Sequence, residues 1–206
     1  MGDRVLTVVS GGLRTPSSTR LLADQLATAS QAALAAAGVA VDLRHVELRE
    51  HAHAIADALL AGFPTGALRD ALADVTGADA LVVVSPTFQG SYSGLFKSFL
   101  DLVEAGSIRG VPVVLAATGG TERHSLVIEH ALRPLLTYLG AVTVPTGVYA
   151  ATADFGGPGA AALAARIERA ASELAGLVAG GPVTARATGG AAAVRPFAEL
   201  LEDVRP

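Results

Sequence analysis

An α/β fold built on a doubly wound, five-stranded parallel sheet with helices on both faces is what this 206-residue chain predicts, and three observations carry the prediction. Apolar runs without polar alternation, at 81–84 (LVVV) and 113–117 (VVLAA), suit strands buried on both faces. These runs alternate with alanine-rich segments of helical period, the strand-helix rhythm of a parallel sheet. Three of them end in polar, glycine-bearing turns, and such sheets hold their ligands at the carboxyl ends of the strands. Right-handed crossovers favour the strand order 2-1-3-4-5.

Residues 5–9 (VLTVV) form the first strand and run into a loop rich in glycine, serine and threonine. A helical period carried by Leu21, Leu22, Leu26, Ala29, Ala33 and Ala37 follows, with Ser17 or Ser18 as cap and Gly38 as stop. Residues 39–46 alternate apolar and polar side chains, which places the second strand near a sheet edge. Residues 50–76 are helical in two pieces, interrupted at 62–66, the second piece covering 67–75. The third strand, 81–84, leads through a loop at 86–93 into a helix marked by Leu95, Phe96, Phe99 and Leu100. The fourth strand, 113–117, ends in Thr118, Gly119 and Gly120, and a helix covers 125–139 up to Gly140. The fifth strand is 141–144, with 148–150 extending it after Pro145; a loop at 155–159 precedes the last helix, 160–178.

The organisation is one domain, 1–180, and a Gly/Ala-rich tail, 181–206. Within the tail, 195–201 (RPFAELL) has the spacing of a short docking segment. With 51% hydrophobic residues the chain can bury a sizeable core. A net charge of -4 and no cluster of lysine or arginine argue against a nucleic-acid partner. No cysteine occurs, which removes thiolate nucleophiles and cysteine-ligated metals and points to a reducing compartment. The N-terminal apolar run is too short for a signal segment or membrane span, so a cytoplasmic protein with no membrane partner is expected. A positive mean hydropathy, owed largely to alanine, also suggests apolar surface covered by a second subunit.

The first loop sets Ser17, Ser18 and Thr19 at a helix start, with Ser10 and Arg14 just ahead. Free amides and the positive helix end favour an anion there, by about 0.3–1 kcal/mol when exposed and about 2 when partly buried. A monophosphate suits the position; equally, Ser17 is explained as a helix cap and Arg14 as a solvated charge. The loop lacks G-x-G-x-x-G and G-x-x-x-x-G-K-[ST], which disfavours NAD held in the Rossmann manner and ATP hydrolysis. The loop at 86–93 carries no charge, and its amides with Thr87, Gln89, Ser91, Tyr92 and Ser93 suit an aromatic, hydrogen-bonding ligand better than a metal.

Three segments carry a resemblance. They are Val8-Val9-Ser10 with 16–22 (PSSTRLL), 85–97 (SPTFQGSYSGLFK), and Thr118-Gly119-Gly120 with His124 and 131–134 (ALRP). Together they resemble the NADPH-dependent FMN reductase family of flavodoxin-like proteins, in particular reductases that partner luciferase-like flavin monooxygenases. The second segment is fairly specific; the other two are weak alone. The resemblance implies FMN as cofactor, its phosphate held by Ser10, Ser17, Ser18, Thr19 and Arg14. Pro86, Thr87, Phe88, Gln89 and Gly90 would run along the flavin ring, and Thr118, Gly119 and Gly120 would close its other side, glycine letting backbone approach the ring. The family commonly has tyrosine where Phe88 stands, so a phenyl ring remains to pack on flavin without a hydroxyl. The resemblance further implies NAD(P)H as hydride donor, a homodimer or homotetramer, and no catalytic side chain beyond those that position the cofactor.

Two other functions stay open: an FMN-containing quinone or azo reductase, and a flavodoxin-type electron carrier, against which the first loop lacks T-x-T-G-x-T. His124 is either a ligand contact or a polar residue of the helix's first turn. Glu122 and Arg123 either reach the phosphate tail of a nicotinamide nucleotide or are solvated. His51 and His53, two apart on a helix, face different ways, so no metal site is expected. Lys97 reads as a surface lysine, and Phe99 and Leu100 as core.

Overall fold

Consecutive valines and leucines leave a strand no polar face, and such a strand is the axis of the sheet. β3 (Ala80–Phe88) is buried from Ala80 through Pro86, with β1 (Arg4–Ser10) on one side and β5 (Pro112–Gly119) on the other, both parallel to it. The computed structural model describes residues 4–180. The tail, with the docking segment expected at 195–201, lies outside the described residues.

β2 (Val41–Glu47) is the edge strand beside β1, as its alternating pattern predicts. The remaining strands are β4 (Ser91–Tyr92), β6 (Val142–Thr143) and β7 (Val148–Ala151), and the main path runs β2-β1-β3-β5-β6. The five expected positions therefore stand in the expected order, although the sheet has seven strands rather than five. Ser10 lies opposite Val84, Val84 opposite Ala116 and Ala116 opposite Val148, so the carboxyl ends of four parallel strands finish side by side.

Alternation along the strands sorts two cores. Leu6, Val8, Val82, Val84, Val114 and Ala116 face the long helices α1 (Ser18–Ala36) and α6 (Ala160–Gly180), meeting Leu22, Leu26, Leu34, Ile167 and Leu174. On the opposite face Val9, Leu81, Val83, Val113 and Leu115 pack under α2 (Ala52–Ala61), α3 (Gly66–Thr76), α4 (Gly94–Leu100) and α5 (Arg133–Tyr138). Each fully buried Val, Leu or Phe contributes about 1.5–3 kcal/mol. Phe99 and Leu100 are core, as expected. Lys97 is a half-exposed surface residue paired with Asp101 one turn on.

The structure corrects three expectations. The loop at 86–93 is instead a hairpin: β3 continues to Phe88, turns at Gln89 (φ 50°) and Gly90 (φ 78°), and returns as β4. Two successive left-handed residues make the tight turn whose twist suits a hairpin. The helix expected at 125–139 is broken. A short turn, Glu122–His124, is followed by one wide turn at Ile128–Leu132, where the Arg133 N–H donates to the Ile128 carbonyl, and only then by α5. Pro134 explains the break, because it has no N–H to offer and its ring crowds the carbonyl of His130. Finally, the fifth position is split. Pro145 interrupts the ladder, and the chain between β6 and β7 is held by Glu173, which accepts from the Thr146 N–H and hydroxyl at 2.8 and 2.7 Å.

Among the described residues no helix is long and apolar enough to cross a membrane.

Candidate functional site

The register brings the polar ends of β1, β3, β5 and β7 to one edge of the sheet. At the end of β1, Ser10 is 3% exposed and its hydroxyl has no hydrogen-bond partner among the described residues. Gly11 continues the ladder by donating to the Val84 carbonyl at 2.8 Å. Gly12 then folds under the start of α1. A Cβ on Gly12 would stand 2.3 Å from the Ser17 hydroxyl and 3.3 Å from Thr19, so only glycine lets that helix end close down on the loop.

Ser17 is the N-cap of α1, its hydroxyl accepting the Arg20 N–H at 3.2 Å. The amides of Ser18 and Thr19 have no intrahelical acceptor and lie at the positive end of a 19-residue helix. The Thr19 hydroxyl shares a 2.8 Å hydrogen bond with that of Thr118 at the end of β5, and both residues are buried. That bond ties the first loop to the third. Arg14 and Ser18 are exposed. Arg20, next along, is committed elsewhere: it pairs with Asp24 at 2.7 Å and Glu47 at 3.1 Å, bracing α1 against β2.

The hairpin supplies the second wall. Pro86 is buried, Thr87 half-buried, and Phe88, Gln89 and Gly90 are exposed at its tip. Ser91, Tyr92 and Ser93, expected among the ligand donors of a loop, are used structurally. Thr87 pairs with Tyr92 and Phe88 with Ser91. The Ser93 N–H donates to the Ser85 hydroxyl at 3.0 Å, and the Ser93 hydroxyl caps α4 by accepting the Phe96 N–H at 3.2 Å. The Tyr92 ring packs at 6.0 Å on that of Phe96.

The third wall holds a residue that the sequence analysis missed. Tyr149 on β7 is in register with Ala117, and its hydroxyl donates to the Thr121 carbonyl at 2.7 Å. A Cβ on Gly119 would lie 2.1 Å from that hydroxyl and 3.7 Å from Thr87, whereas one on Gly120 would meet nothing within 4 Å. Gly119 is therefore filled by tyrosine, and only Gly120 stands open. Burial holds the Tyr149 phenol above its ordinary 10, against an opposite pull from the neighbouring Thr87 hydroxyl. The signal available in sequence was a lone phenol in the strand V-Y-A-A, at a strand end. His124 is exposed on the Glu122–His124 turn with Glu122 and Arg123; that turn packs beside β7 and directly follows Thr121, whose carbonyl accepts from Tyr149.

The edge thus sets hydroxyls and free amides at a helix start, beside an uncharged hairpin and an open glycine. That arrangement can hold an anion at one end and a flat polar ring beside it. Among the described residues no cluster of three His, Cys, Asp or Glu could hold a metal ion. A groove of about 730 Å³ lies elsewhere, between α1 and α6, with Ala29, Ala33, Leu163 and Ile167 along it. Its other lining residues include Asp24, Asp154 and Glu168, which disfavour an anionic guest, and none of the strand-end residues contributes to it.

The profile of the NADPH-dependent FMN reductase family matches residues 4–156. The chain is 41% identical over 152 residues to an FMN reductase (NADPH) of Pseudomonas aeruginosa, covering 73% of this chain and 78% of the relative. It is 44% identical over 150 residues to the NADH-dependent FMN reductase SfnF of Pseudomonas putida, with the same coverage of 73% and 78%. An oxidoreductase of Corynebacterium diphtheriae has a similar crystal structure, with a TM-score of 0.85 and 46% identity over 88% of this chain and all of that one.

Proposed function

The chain belongs to the NADPH-dependent FMN reductase family, and from that membership we infer that it transfers a hydride from NAD(P)H to FMN, at the edge where β1, β3, β5 and β7 end. The observation that carries the site is the joining of the first and third loops: Thr19 bonded to Thr118, beside a buried Ser10 hydroxyl that lacks a partner.

The residues fit the cofactor. Ser10, Ser17, Thr19 and the free amides of Ser18 and Thr19 would hold the phosphate, with exposed Arg14 within the same loop adding charge. Pro86, Thr87, Phe88, Gln89 and Gly90 would lie along the ring, and Thr118, Gly120 and the adjoining amides would close its polar edge. When bound, FMN supplies the hydride chemistry, and the protein supplies position and polarity. The hairpin and the turn at Gly120 orient the ring, and the helix end of α1 fixes the phosphate. Exposure of Phe88, Gln89 and Gly90 leaves room beside the ring for a nicotinamide. His124, Glu122 and Arg123, also exposed, are available to the nucleotide's phosphates.

The reduced flavin would serve a luciferase-like monooxygenase in the cytoplasm; the open edge, from which flavin can leave, and the lack of cysteine support this reading. A homodimer or homotetramer belongs to the same proposal, supported by Leu60 on α2 (90% exposed), Phe63 in the turn that follows it (61%) and Tyr138 on α5 (86%), all on one side of the sheet. The test is an anaerobic absorption spectrum of the full chain with FMN, before and after NADH or NADPH. Bleaching of the flavin bands at a rate set by the protein supports the reading; no protein-dependent bleaching with either nucleotide removes it.

A further inference from the structure

Tyr149 takes part in none of the interactions that the sequence assigns to the flavin site, yet it touches the third wall at two points. Its hydroxyl donates to the Thr121 carbonyl at 2.7 Å, across the turn that contains Gly119 and Gly120. Its Cζ and hydroxyl fill the space where Gly119 lacks a side chain, at 3.2 and 2.1 Å from an ideal Cβ. The ring comes from β7, which is parallel to β5 with Tyr149 opposite Ala117 and Ala151 opposite Gly119, so the phenol reaches along the sheet rather than across solvent. Val148 and Ala150, its neighbours on β7, are buried in the α1/α6 core, while Tyr149 packs against the core of the other face.

We propose that Tyr149 is a positioning residue: it clamps the turn from Gly119 to Thr121 so that the open side of Gly120 and its neighbouring amides face the flavin. Gly119 is then glycine on account of the tyrosine, not on account of the cofactor. The two glycines of Thr118-Gly119-Gly120 have different employers, one inside the protein and one toward the ligand. Without the phenol, the turn loses the side-chain hydrogen bond that the Thr121 carbonyl accepts. The inference rests on the FMN-site reading above.

The test is a double-mutant cycle on Tyr149→Phe and Gly119→Ala, read as FMN dissociation constants from fluorescence quenching, thermal midpoints of the FMN-free proteins, and KM and kcat. Wild type that binds no FMN defeats the site reading itself, before any variant is made. Given binding, Tyr149→Phe weakens FMN about three- to tenfold, the cost of one hydrogen bond. It raises KM for FMN and leaves kcat at saturating FMN within about twofold. Gly119→Ala weakens FMN more than about tenfold in wild type, but about threefold or less in the Tyr149→Phe background, where the colliding oxygen is gone and the nearest carbon needs only a small shift. Equal penalties for Gly119→Ala in both backgrounds overturn the proposal, as does a lowered thermal midpoint in Tyr149→Phe with unchanged FMN affinity. Should Tyr149→Phe fail to fold, Gly119→Ala alone decides: unchanged FMN affinity in a folded protein overturns the clamp.

Discussion

Gly12 shows how much one residue can decide. Its missing side chain is what lets Ser17 sit over the first loop, since a Cβ would lie 2.3 Å from the Ser17 hydroxyl. Gly12→Ala therefore costs twice: the cap is displaced, worth about 1 kcal/mol of stability, and the loop proposed to hold the phosphate is deformed. The expected outcome is a lower thermal midpoint together with FMN affinity reduced about tenfold or more, measured by fluorescence titration. Ser17→Ala, which removes the cap without the clash, should lower the midpoint similarly and cost less FMN affinity. Local sequence is enough to offer Ser17 or Ser18 as the cap, of which the structure uses Ser17, because cap chemistry is local. It could not assign the Thr19–Thr118 bond, which joins residues 99 positions apart and needs the register of β1, β3 and β5 to be seen. Tyr149 escaped for the same reason: alternation along β7 fixes its face, but only the pairing with β5 reveals that it lands on Gly119.

Among the elements, the hairpin of β3 and β4 depends on a left-handed turn in which Gln89 (φ 50°) is the non-glycine member. A β-branched residue tolerates that conformation poorly, so Gln89→Val should destabilise the turn by about 1–2 kcal/mol. Thermal melts should show the loss in the FMN-free protein, and KM for FMN should rise as the ring's wall loosens; a variant unchanged in both would show that the tip plays no part in the site. The hairpin was hidden because Ser85-Pro86-Thr87 reads as the end of a strand, and proline usually confirms that reading. A second brace lies at the wide turn before α5. Arg133 holds Glu129 at 2.6 and 2.9 Å and also donates to Thr143, Val144 and Pro145, tying the broken helix to the split fifth strand. The hydrogen bonds from Arg133 lower the Glu129 carboxyl below its ordinary 4.5. A depressed carboxyl contributes stability in full above that value and loses it as pH falls through the lowered range. Glu129→Gln should therefore flatten the decline of thermal midpoint with acid below about 4.5 and leave its pH dependence near neutrality unchanged. Pro134, which breaks this helix, stood in plain view in the sequence; the apolar period on either side of it outweighed it.

At the scale of the molecule, the alternation of apolar runs and helical periods was enough to reach the sheet, its order and the two faces of helices. That information is repeated in every unit of the chain. The proposed site's place at the strand ends follows from the same pattern, because a parallel sheet gathers those ends. What stayed illegible is the way the strand ends are held together: Thr19 to Thr118 and Tyr149 to Thr121 are each single contacts between segments far apart in sequence. On the proposed reading these contacts serve the function, because the protein's part in the reaction is orientation. The measurement that tests this most directly is the rate of NAD(P)H oxidation by the full chain as a function of added free FMN. A rate that is negligible without FMN, rises with it and saturates is the predicted result. A rate that is independent of FMN, or absent at every FMN concentration, would contradict the assignment of these strand ends to flavin reduction.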